Sequence, residues 1–316
     1  MVTVGSVFKT EKLETEEKHQ WKSSPTVKNY TNFSELGINS IDIPSKVSII
    51  ESPSLVASEY KEAFLGEHDR LLDLNRRIQN ICASAKIEKD SSLVFGSNSA
   101  VIGNLNLELT RDCKLNILLG DYNLFCLTMS ISVREGVNAV LELDSKSAGF
   151  TYLRIKEYVS KYSKLALSNR HIKDKFLFLY GDGILRESAS LDVTDYVYAD
   201  SGAHYDCVQN VEQGFSSKSN VIGRGVINGP SSLIFRGMLK IYEEKCEGNF
   251  STKTLNLSSG DAFTDSIPML DIRANNVIAR HSSAIEGISD SNLFYLMSRG
   301  LSKEDSRNLI IDSMLG

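Results

Sequence analysis

Short apolar runs separated by polar turns dominate the chain from about residue 87 to residue 288. Apolar and polar residues alternate most cleanly over 220–228 and 232–241, and small turns such as 181–183 separate the runs. Because the side chains of a strand point alternately to its two faces, this period of two predicts half-buried strands. Nearly two hundred residues of such strands predict an all-β body.

The pattern alone is compatible with a sandwich, a barrel or a solenoid. Two features favour the solenoid, namely the lack of a long helix between 90 and 288 and the short, irregular spacing of the polar turns. Strict hexapeptide repeats are absent, which argues against the left-handed acyltransferase type. We therefore predict a right-handed parallel β-helix, in which each coil buries an inward stripe of side chains against the next.

Helical spacing of apolar residues marks the first part of the chain. Leu71, Leu74 and Ile78 recur on one face of a predicted helix from about Ser58 to Ala83, and a charged helix is predicted over 10–18. The lone tryptophan, Trp21, is expected to pin its segment to the main body.

The last residues predict two short helices, over 290–299 and 303–315. Gly300 divides them, at the position after a helix end where a residue in the left-handed conformation is common. Ser289 or Asp290 is expected to cap the first helix and Ser302 the second. The first helix is expected to bury one face and the second to continue it; these faces contain Leu293, Phe294, Met297, Ile310 and Met314. The chain thus divides into a helical and irregular region over 1–88, a β-helix core over 89–288 and a helical tail over 289–316.

Composition narrows the class of protein. The 316 residues are 41% hydrophobic and 24% charged, which is ordinary for a globular chain with a sizeable core. The net charge is −5 and no basic stretch is dense, so we expect no nucleic-acid partner. No apolar run approaches the roughly 20 residues of a membrane span, and the first residues lack a signal-peptide core, so we expect a cytoplasmic protein.

Few residues stand out as candidates for chemistry. The five cysteines are scattered without a C-x-x-C pair, which argues against a disulfide framework or a self-contained zinc site. His281 is the best single candidate for a ligand or a proton donor, with a structural histidine at a domain seam as the competing interpretation. Glu286 follows it at an odd spacing that places the two on opposite faces of a strand, and the same holds for His204 and Cys207. We find no phosphate-binding loop, no G-x-S-x-G and no H-E-x-x-H.

One stretch near the end of the chain carries a family signature. Residues 271–311 closely resemble the C-terminal signature of the SufB/SufD scaffold family of iron–sulfur cluster assembly. The shared elements are P-x-L-x-I at Pro268, Leu270 and Ile272, V-x-x-x-H ending at His281, and L-F-Y-L-x-S-R-G-L over 293–301. Residues 20–22 and 69–75 look like the N-terminal region of SufD.

The resemblance implies a non-catalytic scaffold with a right-handed parallel β-helix core. It implies that the chain pairs with SufB through the β-helix and holds the ATPase SufC on the tail helices. It implies no stably bound cofactor and only a transient iron–sulfur cluster shared with SufB. His281 is the one residue of this chain that the resemblance implies as a ligand of that cluster. The residues carried over as partner-binding are Leu293, Phe294, Tyr295, Arg299, Gly300 and Ile310.

Two positions favour SufD over SufB. Lys253 stands roughly where SufB has a cysteine, and Ser282 follows His281 where SufB has a glutamate. One departure from the family is Gln213, at a position that is usually histidine. A SufB-like homodimeric scaffold remains an alternative, as does a β-helix carbohydrate-active enzyme, although the row of carboxylates that such an enzyme needs is not visible.

Overall fold

The computed structural model describes residues 44, 47–58, 63–64, 70–258 and 260–316. The predictions for 10–18, 20–22 and Trp21 lie outside the described residues. The described residues form a parallel β-solenoid with few helices, as predicted. No helix in this part of the chain is long and apolar enough to cross a membrane.

The described residues form two sheets and three short helices. The strands are β1 (Ile49–Glu51), β2 (Val56–Ala57), β3 (Ile81–Ile87), β4 (Ser91–Phe95), β5 (Asn98–Leu109), β6 (Cys113–Leu119), β7 (Tyr122–Val133), β8 (Asn138–Ser145), β9 (Phe150–Val159), β10 (Lys164–His171), β11 (Phe176–Leu185), β12 (Ser190–Ala199), β13 (His204–Gln213), β14 (Lys218–Ile227), β15 (Ser232–Ile241), β16 (Glu247–Asn256), β17 (Phe263–Ile272) and β18 (Ile278–Gly287). The helices are α1 (Arg70–Arg77), α2 (Asp290–Ser298) and α3 (Lys303–Leu315).

The strands alternate between the two sheets along the chain. Sheet A has the order β1, β4, β6, β8, β10, β12, β14, β16, β18, and sheet B has the order β17, β15, β13, β11, β9, β7, β5, β3, β2. The pairs are parallel and in register, except that β1–β4 and β2–β3 are antiparallel. Both sheets therefore end in the last coil, where β17 and β18 each have one strand neighbour.

The inward stripes of the two sheets form the main core. Along β12, for example, every second side chain is buried, and Leu191, Val193 and Val197 lie in the core. Aromatic side chains interlock there, as in the edge-to-face contact of Phe95 and Phe125 at 5.6 Å. Each fully buried aliphatic side chain contributes about 1.5–3 kcal/mol.

A second apolar cluster covers the outer face of sheet B. Leu71, Leu72 and Leu74 of α1 pack there against residues that include Tyr152 and Phe178. Nearby, the Arg154 guanidinium lies 4.2 Å from the ring centroid of Phe64 and 4.1 Å from that of Tyr180. This packing fixes the N-terminal helix to the solenoid.

The predicted helix from Ser58 to Ala83 is present in the described residues only as α1, so the prediction is wrong at residues 58, 63 and 64 and again beyond Arg77. Asn80 ends the helical conformation: its side-chain amide donates to the carbonyl of Ala100 at 3.0 Å and its oxygen accepts the N–H of Ile102 at 2.8 Å. From Ile81 the residues alternate in burial and pair with β5, so the parallel strands begin before the boundary predicted at 89.

The corners before the last five strands of sheet A repeat one backbone conformation. Tyr162, Ser188, Ser216, Lys245 and Asn276 all have φ between 54° and 61°, in the left-handed region. Tyr162 donates its N–H to the carbonyl of Glu187 on the next coil, and Ser188 donates likewise to Phe215. Stacking of these corners supplies the hydrogen bonds that offset a left-handed non-glycine residue.

Candidate functional site

The last coil of the solenoid is open to solvent. No position in β17 or β18 is fully buried, and large apolar side chains are exposed there: Phe263, Ile272, Ile278 and Ile285. An edge of this kind combines unpaired backbone groups with apolar surface, which is characteristic of strand-pairing surfaces.

His281 lies on this open end, in a strand as predicted. It is in register with Phe250 of β16, whose side chain is buried in the core. In parallel strands, residues in register point to the same face. His281 therefore continues the inward file of sheet A, and its imidazole is exposed because no later coil covers it.

Small hydroxyl side chains surround the inward file at this end. Thr252 of β16 and Ser266 of β17 hydrogen bond to each other across the interior. Among the described residues no group of three or more histidine, cysteine or acidic side chains is arranged to hold a metal ion.

The structure separates Glu286 from His281, as the odd spacing predicts. Glu286 points outward and its carboxylate lies 2.6 Å from the ammonium of Lys253 on β16. Both side chains are about half exposed, so the ion pair contributes little stability. Lys253 is thus engaged in a surface ion pair.

His204 and Cys207 also lie on opposite faces, as predicted. Cys207 is in the core, where burial raises the pKa of its thiol well above the ordinary value. His204 is on the outer face, stacked on Phe176 with ring centroids 5.7 Å apart and hydrogen-bonded to Ser232. Burial lowers the pKa of His204, with a smaller opposing effect from the Asp206 charge. Both residues are structural.

Gln213 braces a turn from within the core. Its amide donates to the carbonyls of Ser217 at 3.2 Å and Glu247 at 3.0 Å, and its oxygen accepts from Ser219 at 3.1 Å. Gln213 is thus a buried hydrogen-bonding residue.

The second tail helix packs back on the outer face of sheet A. Met314 and Leu315 are buried against Val226 and Leu255, and Ile310 lies half-buried beside them. The predicted cap is confirmed, because the Ser302 hydroxyl accepts the N–H of Asp305 at 3.0 Å. Gly300 has the expected left-handed φ of 96°. Ser289 holds the cap position of α2, but its side chain accepts no capping hydrogen bond.

The first tail helix, α2, has no buried residue. The prediction of a buried face is wrong, since Phe294 is 75% exposed and Met297 43% exposed, while Leu293 is half-buried. The reason is that α3 occupies the nearby sheet surface and α2 contacts mainly α3. We call the exposed apolar residues of this region the tail patch; they are Phe294, Tyr295, Met297, Leu301 and Leu309.

Only some of the predicted partner-binding residues lie in the tail patch. Phe294 and Tyr295 are in the tail patch, and the Arg299 guanidinium lies 5.3 Å from the ring centroid of Tyr295. Gly300 ends the helix beside them, whereas Ile310 faces the α3 cluster.

Sequence reasoning missed two carboxylates inside the solenoid. Glu157 is 0% exposed and accepts the N–H of Asp182 at 3.0 Å. Burial raises its pKa well above the ordinary value, and the charges of Asp182 and Asp195 raise it further. Burial also raises the pKa of Asp195 to about 6, against the lowering effect of a hydrogen bond from Asn169. The sequence did contain a sign of this burial. Glu157 is two residues after Ile155 in β9, so the alternation of the strand places both side chains on the inward face.

Comparison with known proteins identifies the family. A family model described as "SUF system FeS cluster assembly, SufBD core domain" matches residues 136–314. Relatives named as iron–sulfur cluster assembly SufBD family proteins include one from Mycobacterium leprae, 26% identical over 128 residues (40% of this chain, 15% of the relative). Another, from Staphylococcus epidermidis, is 25% identical over 132 residues (40% and 28%), and one from Archaeoglobus fulgidus is 35% identical over 101 residues (32% and 27%).

The matched stretches thus cover between 15% and 28% of these relatives' own lengths. The family model covers more than half of the chain and includes both the open end and the tail. The chain therefore belongs to the SufBD family of iron–sulfur cluster assembly proteins.

Proposed function

We propose that this chain is a non-catalytic, SufD-like scaffold subunit of an iron–sulfur cluster assembly complex. In this role it pairs with a SufB-type scaffold through its open end and holds a SufC-type ATPase on its tail patch. The observation that carries the proposal is that the family-matched region leaves two apolar surfaces uncovered, the last coil and helix α2.

The open end is suited to pairing with another solenoid. A second chain that continued the inward stripes would cover the exposed apolar residues and supply partners for the edge strands. The same contact would enclose His281, which lies in the inward file. A nascent cluster held there is cargo, for which this chain supplies one imidazole and the partner supplies the remaining ligands.

Replacing His281 with alanine is expected to lower the yield of assembled cluster by roughly tenfold without dissociating the complex, because loss of a ligand weakens metal binding at least as much as loss of a supporting residue. The measurement is visible absorbance of the reconstituted complex, with its size checked by chromatography. The matched control is Ser283→Ala, the next residue of the same inward file. A wild-type yield from an intact His281→Ala complex would make His281 a structural residue.

The tail patch is suited to an apolar groove on a partner. Its aromatic side chains are exposed on a helix that is held in place by the packed α3. Aromatic residues and arginine are the residue types that most often dominate binding energy, and Tyr295 and Arg299 lie together here.

Replacing Phe294 with serine is expected to weaken binding of a SufC-type ATPase at least about tenfold, because it removes an aromatic anchor. Ile50→Ser is the control, since Ile50 is 73% exposed and lies on β1, at the opposite end of sheet A. Isothermal titration with the purified ATPase would measure both. Equal affinities for the two variants would exclude the tail patch as the docking surface.

A further inference from the structure

One methionine differs from the others in its exposure to solvent. Met297 on α2 is 43% exposed, whereas Met129 is 0% exposed in the core and Met314 is 6% exposed where α3 packs on sheet A. Met238 and Met269, on the outer face of sheet B, are half-buried. Among the described residues, Met297 is therefore the methionine that a dissolved oxidant reaches most readily.

Met297 lies in the part of the tail patch that contains its most exposed aromatic ring. Met297 follows Phe294 by three residues in α2, and this spacing places the two side chains on one face of the helix. Phe294 is 75% exposed, and α2 has no buried residue. A partner that packs on the Phe294 ring therefore also packs on the Met297 thioether.

Oxidation changes the polarity of this side chain more than its size. Hydrogen peroxide transfers one oxygen atom to a thioether: the O–O bond breaks, a sulfur–oxygen bond forms, the sulfur loses two electrons and water is released. The resulting sulfoxide is polar, and burying a polar group in an apolar contact without a hydrogen-bond partner is unfavourable. Methionine sulfoxide reductases remove the oxygen, so the change is reversible.

We propose that Met297 is a site of reversible oxidation by peroxide and that its sulfoxide form releases the partner docked on the tail patch. The inference rests on the proposed function in one respect, that a SufC-type ATPase docks there. Docking and oxidation then oppose each other, because the docked ATPase shields the sulfur and the sulfoxide weakens docking. An oxidant separates the ATPase from the scaffold and leaves the solenoid folded, since Met129 and Met314 are buried.

Isothermal titration with the purified ATPase, before and after peroxide treatment of the full chain, tests the proposal. Treatment is expected to raise the dissociation constant of the wild type about tenfold. Met297→Leu is the matched variant, because leucine keeps a similar apolar volume and has no sulfur to oxidise. Its affinity should be the same before and after treatment. Methionine sulfoxide reductases should restore the original constant of the oxidised wild type.

Mass spectrometry of the same samples identifies the oxidised residue. In the free chain, Met297 should gain one oxygen atom faster than the other four methionines of the described residues. With about nine-tenths of the chain bound to the ATPase, this oxidation should be about tenfold slower, because only the free fraction reacts. A thiol reductant added after treatment reverses disulfides and sulfenic acids at the five cysteines, so that they do not contribute to the result.

Met297→Gln provides a second test that needs no oxidant. Glutamine is unbranched and polar, so this variant should weaken ATPase binding about as much as oxidation does, even if peroxide proves to unfold the chain. Circular dichroism checks that the variant is folded. A folded Met297→Gln variant with the affinity of the wild type would overturn the proposal.

Three further results would also overturn it. They are an oxidised wild type that binds as tightly as the untreated protein, an equal effect of peroxide on Met297→Leu, and an oxidation rate of Met297 that the ATPase leaves unchanged. All of these differ from a failure of the proposed function, in which the untreated wild type does not bind the ATPase. That result would overturn the docking role of the tail patch and this inference with it.

Discussion

Replacing Arg236 with methionine is expected to lower the free energy of unfolding by about 3–5 kcal/mol. The guanidinium donates from two nitrogens to the two carboxylate oxygens of Asp206, each at 2.8 Å. The Asp206 side chain is 0% exposed and that of Arg236 7%. Methionine fills a similar volume but leaves the carboxylate buried without the cation that holds both of its oxygens, and that loss is the main cost.

Thermal unfolding followed by circular dichroism measures the effect, which should be a fall of about 5–8 °C in the midpoint. Lys218→Met is the matched control, because Lys218 pairs with Glu247 at 2.8 Å on the surface and its loss should cost at most about 1 kcal/mol. The double variant Arg236→Met with Asp206→Leu should lose less than Arg236→Met alone, since it removes the stranded charge. Equal midpoints for Arg236→Met and Lys218→Met would contradict the prediction.

Local pattern was sufficient to predict the strands and the solenoid but not the length of its repeat. The inward stripe needs only alternation of apolar residues, which is visible over 232–241 and is found in β15. The corners before the last five strands of sheet A have a left-handed residue, which is tyrosine, serine, lysine or asparagine. Since those residue types share no sequence signal for that conformation, the repeat is hidden in the sequence and evident only in the structure.

The errors arose where tertiary contacts overrule a local pattern. Leu71, Leu74 and Ile78 do follow a helical spacing, but the Asn80 side chain hydrogen bonds to β5 and the chain turns into a strand. The apolar residues of α2 follow the spacing that is typical of a buried helix face. A face is buried only if a surface is available to cover it, and here α3 occupies the neighbouring surface of sheet A. That error strengthens the functional interpretation, because a face left uncovered is available to a partner.

The candidate site was predicted in part. The alternation around His281 places it on a strand, and the family resemblance selects it as a ligand. Its exposure depends on β18 being the last strand of sheet A, which is a property of the assembled fold.

Replacing Glu157 with glutamine is expected to stabilise the protein, and to do so increasingly as the pH rises. Burial holds the pKa of Glu157 well above the ordinary value of 4.5. The folded chain therefore keeps a proton that the unfolded chain releases. In that window the free energy of unfolding falls as the pH rises, by up to about 1.4 kcal/mol per pH unit. Glutamine cannot ionise, so the variant lacks this loss.

Two neighbouring carboxylates, Asp182 and Asp195, affect the pH dependence that is compared between Glu157→Gln and the wild type. Asp182 pairs with Lys156 on the outer face, and Asp195 lies in the interior with a pKa raised to about 6. Asp195 adds a pH dependence of the same sign that is present in both proteins. Chemical denaturation at a series of pH values above 4.5 should show the free energy of unfolding of Glu157→Gln rising relative to that of the wild type as the pH rises. Glu243→Gln, at an exposed turn, should show a constant difference, and a constant difference for Glu157→Gln would mean that the carboxyl is ionised in the folded protein.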